Sequence, residues 1–234
     1  MTQLTDSHIV FRLINDAHSP LGDVFFGLVS GLGDGLVIAL LCALLMLFHL
    51  RLGMASMLAY LLSGVLAQLL KRLFDMPRPP AILDHVHVLG HTLTAHSFPS
   101  GHATSDGVMV LLAFYVWSRA DWRSWAVACL FVLAAVGRIY GGVHFPLDVA
   151  TGLVLGMLTM VVCWRWSQRW PVERWEQSAW SWKIPGLIVA ILAAVLGLGY
   201  HIQPSTAGGL SLMMPVAALF ILMQVWKGKL GQTF

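Results

Sequence analysis

Apolar positions fall into long runs separated by short polar stretches, at about 35–50, 53–72, 101–118, 124–141, 146–166, 184–200 and 208–226. A bilayer span needs about 20 such residues. The run at 35–50 is short, so the pattern predicts six or seven crossings. The expected fold class is all-α, a polytopic transmembrane helical bundle of six or seven helices. Residues 8–33 differ, with apolar groups (Ile9, Val10, Phe11, Leu13, Ile14, then Leu21, Val24, Phe25, Phe26) broken by polar ones. That alternation predicts a segment lying in the membrane interface rather than crossing it. Gly31-Leu32-Gly33-Asp34-Gly35 has the outline of a phosphate loop, but no strand precedes it. Asp34 is read instead as the N-cap of the next helix.

Composition agrees with the pattern. Apolar residues make up 58% of the chain and charged ones 11%, against roughly 25% charged in soluble domains. This is the balance of an integral membrane protein. A net charge of +3, held mostly at helix ends, gives no footprint for nucleic acid. Cys42, Cys129 and Cys163 all fall in apolar runs and are expected to be buried, inert packing residues with no disulfide framework. Met1–Pro20 has neither a basic start nor an early apolar core, so no cleaved signal peptide is expected. Gly152 and Gly156 form a small-x-x-x-small face suited to close helix packing.

Charge becomes informative where it interrupts grease. Three clusters stand out: Lys71 with Arg78-Pro79, then Pro99-Ser100-Gly101-His102, then Arg138 with His144 and Asp148. Two crossing runs separate the second cluster from the third, so the chain leaves and returns to one membrane face, where all three clusters meet. Basic residues fix the direction, because cytoplasmic loops collect Lys and Arg. With the clusters outside, Arg51, Arg119, Arg123, Arg165, Arg169, Arg174, Lys183, Lys227 and Lys229 lie inside, leaving Arg12, Lys71, Arg72, Arg78 and Arg138 outside. The ten tryptophans, from Trp117 to Trp226, fall at or beyond the same inner ends.

A charge near the bilayer centre costs about 2.5–3.5 kcal/mol or more, so charged groups at the ends of apolar helices usually serve a purpose. Three cations converging on one spot suit a multiply charged anion, and guanidinium forks match phosphate oxygens in pairs. Pro99-Ser100-Gly101-His102 precedes an apolar run and should place a helix N-terminus, with its free N–H groups, at the same spot. His144 and Asp148, four apart at the start of a helical run and hence on one face, read as an imidazole oriented by a carboxylate. His102 supplies a second imidazole, so one can attack phosphorus while the other protonates the departing oxygen. No metal or other cofactor is called for, because the cations offset the developing charge. Taken singly, each piece is ordinary: a packing histidine, a snorkelling arginine, a Pro-Ser-Gly turn.

Together, Lys71-x6-Arg78-Pro79, Pro99-Ser100-Gly101-His102 and Arg138-x5-His144-x3-Asp148 resemble the three-part signature of the type-2 phosphatidic acid phosphatase superfamily. The resemblance covers residues 71–148 and, with the helix pattern, about 51–166. It implies a metal-independent lipid phosphate phosphatase with His144 as the nucleophile that forms a phosphohistidine, Asp148 as its orienting partner and His102 as general acid. Lys71, Arg78, Ser100, Gly101 and Arg138 would cradle the phosphate. Two positions depart from the family pattern. Gly137 stands where a serine usually precedes the third-cluster arginine. Asp106 lies one turn beyond His102, where it could bond that histidine or line a polar pocket, or be satisfied by Thr104 or a neighbouring helix.

These readings give one domain over 1–234, with an interfacial segment at 1–33, a catalytic core at 51–166 and a C-terminal helix pair at 184–226 that the signature does not explain. The expected location is a bacterial inner membrane with the site facing the periplasm or exterior, and the expected partner is a lipid phosphate in the membrane. No obligatory protein partner is inferred. Undecaprenyl pyrophosphate is the preferred substrate, with phosphatidylglycerophosphate, phosphatidic acid and lipid A phosphates as alternatives. More distant alternatives are a non-catalytic phospholipid-binding or transport protein and a vanadium-dependent haloperoxidase, whose constellation is similar but whose proteins are soluble. Asp84, His85, His87, His91 and His96 form a histidine-rich loop with no strong zinc spacing. It is read as shaping the pocket mouth or meeting lipid headgroups.

Overall fold

A computed structural model describes residues 6–230, with side chains described for 8–228. The first five residues of the expected interfacial segment and the side chain of Lys229 lie outside this range. The described chain folds as α1 (Asp6–Asn15), α2 (Pro20–Leu32), α3 (Gly35–Phe48), α4 (Leu50–Phe74), α5 (Pro79–Ile82), α6 (Gly101–Val116), α7 (Trp122–Tyr140), α8 (Pro146–Ser167), α9 (Val172–Glu176), α10 (Trp180–Leu198), a 3₁₀ turn (Ser205–Ala207) and α11 (Leu210–Leu230). No strand occurs among the described residues.

Local chemistry sets several of the boundaries. Ser19 caps α2 by accepting from Gly22 N, with Pro20 pre-set at the first helical position. Asp34 caps α3 through Leu36 N at 2.9 Å, as its sequence position predicted. Asp75 ends α4 in the left-handed conformation, φ 40°.

The bundle is organised around α6, which packs against α4, α7 and α8. Val108, Met109 and Leu112 meet Phe131 of α7 and Met160 of α8 in the main core cluster. Glycines let α6 and α8 approach closely: a Cβ at Gly152 would stand 2.6 Å from the Ser100 carbonyl oxygen, and one at Gly156 would overlap the Thr104 carbonyl. The predicted small-residue face is therefore used. The C-terminal pair α10–α11 builds a separate cluster on α3 through Val37, Leu40, Val189 and Leu222.

Five helical segments are long and apolar enough to cross a membrane, and α2 with α3, bent by 49°, passes the same test as a pair. The stretch read as interfacial, residues 8–33, folds as α1 and α2, and α2 packs along the C-terminal part of α7 and continues through a bend into α3. The bend sits at Gly33, where a Cβ would stand 2.9 Å from the Asp106 carboxyl carbon. At 16 residues α6 falls short of the run at 101–118, spanning about 24 Å. It nevertheless connects the two ends of the bundle, because Ser124 at the start of α7 bonds back to Ala113 near its end. A smaller correction concerns the thiols: Cys42 and Cys163 are buried, whereas Cys129 is exposed on α7. In a bilayer an outward apolar face is as favourable as an inward one, so hydropathy alone did not separate them.

Antiparallel order puts the C-terminal ends of α4 and α7 and the N-terminal ends of α6 and α8 at one face. At the opposite end Arg51 donates to the Ser167 carbonyl and to Glu173, and Trp182 pairs with Trp226 at 6.1 Å.

Candidate active site

The loop from Gly141 to Phe145 delivers His144 just before α8. The histidine is not on the helix, contrary to the reading of a shared helical face. Its pairing with Asp148 is a capping arrangement: Asp148, in the first turn, accepts from Phe145 N at 2.9 Å, and the same Oδ2 lies 3.4 Å from His144 Nδ1. Ser97, which the sequence reading overlooked, donates its hydroxyl to that Oδ2 at 2.5 Å and lies 3.4 Å from His144 Nδ1. Both His144 and Asp148 are 3% exposed, so the pair is sealed from bulk water. Burial pushes the His144 imidazole below its ordinary value. The Asp148 bond opposes this shift, while Arg78, Arg138 and Lys71 add to it.

With Nδ1 turned to Asp148, the other nitrogen faces the cations. Arg78 Nη1 lies 3.2 Å from His144 Nε2. A guanidinium can only donate, so this contact requires an unprotonated Nε2 with its lone pair directed out of the Asp148 bond. Arg78 also donates to the carbonyls of Val143 and Ala95, at 3.0 and 2.8 Å. Lys71 Nζ, buried at the end of α4, donates to the carbonyls of His96 and Ser97 at 2.7 and 3.3 Å. The loop between α5 and α6 thus wraps the first two cations, and Arg78 N to Thr94 O and Ser97 N to Met76 O stitch it down.

The second cluster forms the predicted helix start. Ser100 is the N-cap of α6, its side chain accepting from Ala103 N, and Gly101 is the first helical residue. Ser100 N donates to the Asp148 carbonyl at 3.0 Å, which ties the first turn of α6 to the first turn of α8. His102 sits in the first turn of α6, within the fields of Arg138, His144, Arg78 and Lys71. Arg138 closes the far side from the last turn of α7. Its carbonyl accepts from Val143 N at 3.2 Å, fixing the loop that carries His144.

The two departures from the family pattern have structural counterparts. A Cβ at Gly137 would stand 3.1 Å from Ser30 Cβ, so the glycine leaves room for α2, and the Ser30 hydroxyl accepts from Arg138 Nη1 at 3.4 Å. A hydroxyl missing beside Arg138 in sequence is thereby present beside it in space. Asp106 is fully buried, and neither carboxylate oxygen has a hydrogen-bond partner among the described residues; Arg138 Nε is likewise unpartnered. Neither a bond to His102 nor satisfaction by Thr104 is formed. The Thr104 hydroxyl donates to Ser100 O instead.

The histidine-rich loop does not gather its ligands. His87 pairs with Asp23 at 2.9 Å and stacks on His18, and His96 pairs with Asp75 at 2.9 Å. Among the described residues no three His, Cys, Asp or Glu side chains are placed to hold a metal ion. Asn15 pins the loop by donating to the carbonyls of His87 and Tyr140, both at 2.8 Å, while its carbonyl oxygen accepts from His87 N at 3.0 Å. The loop therefore borders the mouth of the site.

The model of the PAP2 superfamily matches residues 52–172. The undecaprenyl-diphosphatase of Sulfolobus acidocaldarius is 28% identical over 173 residues, a match covering 72% of this chain and 82% of that protein. The lipid A 1-phosphatase of Rhizobium johnstonii is 36% identical over 112 residues, 43% of each chain. The crystal structure of Aquifex aeolicus LpxE superposes with a TM-score of 0.61 at 34% identity, covering 67% of this chain and 93% of that one.

Proposed function

The chain belongs to the PAP2 superfamily, and from that premise we propose that it hydrolyses a lipid diphosphate or phosphomonoester through a phosphohistidine at His144. It is a multi-pass membrane phosphatase of the lipid-phosphate class; the roles of its residues and the substrate are the reading offered here. The observation that carries the roles is the orientation of His144, with Nδ1 3.4 Å from Asp148 and Nε2 3.2 Å from Arg78 Nη1. A phosphoryl group held by Arg78 would present its phosphorus to that lone pair.

In the first step Nε2 forms a bond to phosphorus while the bond to the leaving oxygen breaks, and that oxygen takes a proton from His102. In the second, neutral His102 accepts a proton from water, whose oxygen attacks phosphorus, and the P–N electron pair returns to Nε2. Inorganic phosphate leaves. Asp148, held by Ser97 and Phe145 N, keeps Nδ1 protonated throughout. Lys71, Arg78, Arg138, Ser100 and the N–H groups from Gly101 onward offset the charge gathering on the phosphoryl oxygens. Lys71 and Arg78 are held in advance by their bonds to loop carbonyls.

Undecaprenyl pyrophosphate is the proposed substrate, supported by the similarity to the undecaprenyl-diphosphatase of Sulfolobus, whose match spans most of both chains. The proposed setting is a bacterial inner membrane with the site outward, supported by the basic residues and tryptophans at the other end. The deciding experiment is phosphate release by the purified protein from undecaprenyl pyrophosphate, phosphatidylglycerophosphate, phosphatidic acid and lipid A. Turnover of the first above the others is expected; preference for lipid A would move the reading toward the Rhizobium relative. His144→Ala should abolish release while the protein stays folded, and brief labelling should yield an acid-labile, base-stable phosphoenzyme that this variant lacks. A binder or transporter would release no phosphate and would hold lipid equally well without His144.

A further inference from the structure

Beside His102, a cavity of about 590 Å³ opens between α4 and α6, lined by Gly101, His102 and Ser105 on one wall and Gly64, Gln68 and Arg72 on the other. We propose that this groove is a leaving-group subsite for a lipid diphosphate, in which Arg72 holds the phosphate that stays on the lipid and the chain runs down past Gly64. The inference rests on the phosphohistidine reading above and deepens it by assigning a subsite to the leaving group.

The argument begins with the direction of departure. In an in-line displacement the leaving oxygen lies opposite the nucleophile, so the remainder of the substrate occupies the volume beyond the general acid. His102 and Gly101 form part of the groove's wall, so the groove adjoins the general acid that serves the leaving oxygen. Gly64, Gln68 and Arg72 are spaced by four and form one ridge of α4, descending about 12 Å from the mouth toward the bilayer interior. Beside them Leu61, Val65 and Leu69, again four apart, are 54%, 59% and 58% exposed. The wall is thus cationic and amidic at the top and apolar below, which matches an amphiphile with a charged head and a hydrocarbon chain. A Cβ at Gly64 would meet nothing within 4 Å, so the glycine faces open space rather than a packed neighbour.

The cation selects the head. Among the described residues the ion pairs formed do not include Arg72, so its charge is uncommitted. The leaving group of a lipid monophosphate is an alcohol, which has no use for a guanidinium. That of a lipid diphosphate is a phosphate that gains negative charge as the P–O bond breaks. A donor aimed at charge that develops in the transition state raises kcat more than it lowers KM. The ordinary alternative is that Arg72, in the last turn of α4, only anchors the helix end at the interface. An anchor of that kind would affect mono- and diphosphates alike.

The test compares wild type, Arg72→Gln, Arg72→Lys and Gly64→Trp, each checked for an unchanged melting midpoint in detergent. The probes are undecaprenyl diphosphate, undecaprenyl monophosphate and farnesyl diphosphate. Arg72→Gln is expected to lower the ratio of kcat on undecaprenyl diphosphate to kcat on the monophosphate by roughly 10- to 100-fold, the scale of one charged hydrogen bond. Arg72→Lys should recover part of that ratio. Gly64→Trp should lower the ratio of long-chain to short-chain diphosphate turnover. Equal losses on mono- and diphosphate in Arg72→Gln would overturn the subsite and leave the phosphohistidine reading standing. Wild-type turnover of lipid A or phosphatidic acid but not of either diphosphate would also overturn it. No phosphate release from any lipid would sink both.

Discussion

Replacing Gly152 by Ala tests whether the α6–α8 contact sets catalytic geometry. The added Cβ would stand 2.6 Å from the Ser100 carbonyl oxygen, 3.0 Å from Ala103 Cβ and 3.1 Å from Thr104 N, whereas ordinary contact begins at 3.4 Å. All three neighbours belong to the first turn of α6, and two of them are backbone atoms that no rotamer change can move. The helices must therefore separate by roughly 0.8 Å at this point. Separation there strains the Ser100 N bond to the Asp148 carbonyl, 3.0 Å long, and shifts His102 relative to His144. Displacements near 1 Å cost on the order of 100-fold in rate, and overpacking costs about 1–3 kcal/mol of stability. Phosphate release and a melting curve in detergent would be measured together with Gly197→Ala, whose Cβ meets Pro215 at an ordinary 3.6 Å. The expected outcome is a rate loss of about two orders of magnitude in Gly152→Ala alone, beyond any loss of folded protein. Activity within threefold of wild type would refute the idea that this contact sets the register of the two histidines.

Three further outcomes follow from the same geometry. Ser97→Ala removes a 2.5 Å bond to Asp148 and should lower kcat by about 10- to 100-fold with little change in KM; an equal change in both would mean that Ser97 serves binding. Ser30→Ala should lower phosphate affinity through Arg138, and adding Gly137→Ser to it should restore part of the loss; failure of Ser30→Ala to alter inorganic phosphate inhibition would remove the Ser30 hydroxyl from the site. The pH dependence follows from burial of neutral His144. Its folded pKa lies below the unfolded value, so the unfolded chain takes up the extra proton and stability falls as pH drops below about 6.5. Melting midpoints at pH 7 and 5 should diverge in wild type and differ by less in His144→Gln.

The clusters were legible because charge inside grease is conspicuous: Lys71, Arg78, Arg138 and Asp148 interrupt apolar runs where little else is polar. Helix starts were legible for a local reason, since Asp34 and Ser100 cap the helices that follow them in sequence. Ser97 and Ser30 were not legible, because an uncharged hydroxyl carries no signal until the fold shows what it faces. Ser30 is 108 residues from Arg138, and only Gly137, read as a loss, hinted that something else fills the space. The bend at Gly33 was missed for a related reason: what demands a glycine there is Asp106, on a helix far along the chain. Placing His144 on a helix erred by two residues, enough to turn a helical pair into a cap.

One consequence of the topology concerns the dipoles of the helices. An antiparallel bundle with its site at one face must bring helix C-termini there as well as N-termini, and C-termini carry partial negative charge that repels phosphate. The N-termini of α6 and α8 favour an anion; the C-termini of α4 and α7 do not. Lys71 with Arg72 and Arg138 occupy the last turns of those two helices, where they offset the unfavourable ends and reverse the local sign. The cations thus act twice, first making the face tolerable to an anion and then gripping it. Bonds to the carbonyls of residues 95–97 and 143 keep Lys71 and Arg78 ordered before substrate arrives, so a phosphate exchanges one set of acceptors for another instead of ordering two long side chains. That exchange lets a site at the edge of a membrane hold several like charges without collapsing or dispersing when empty.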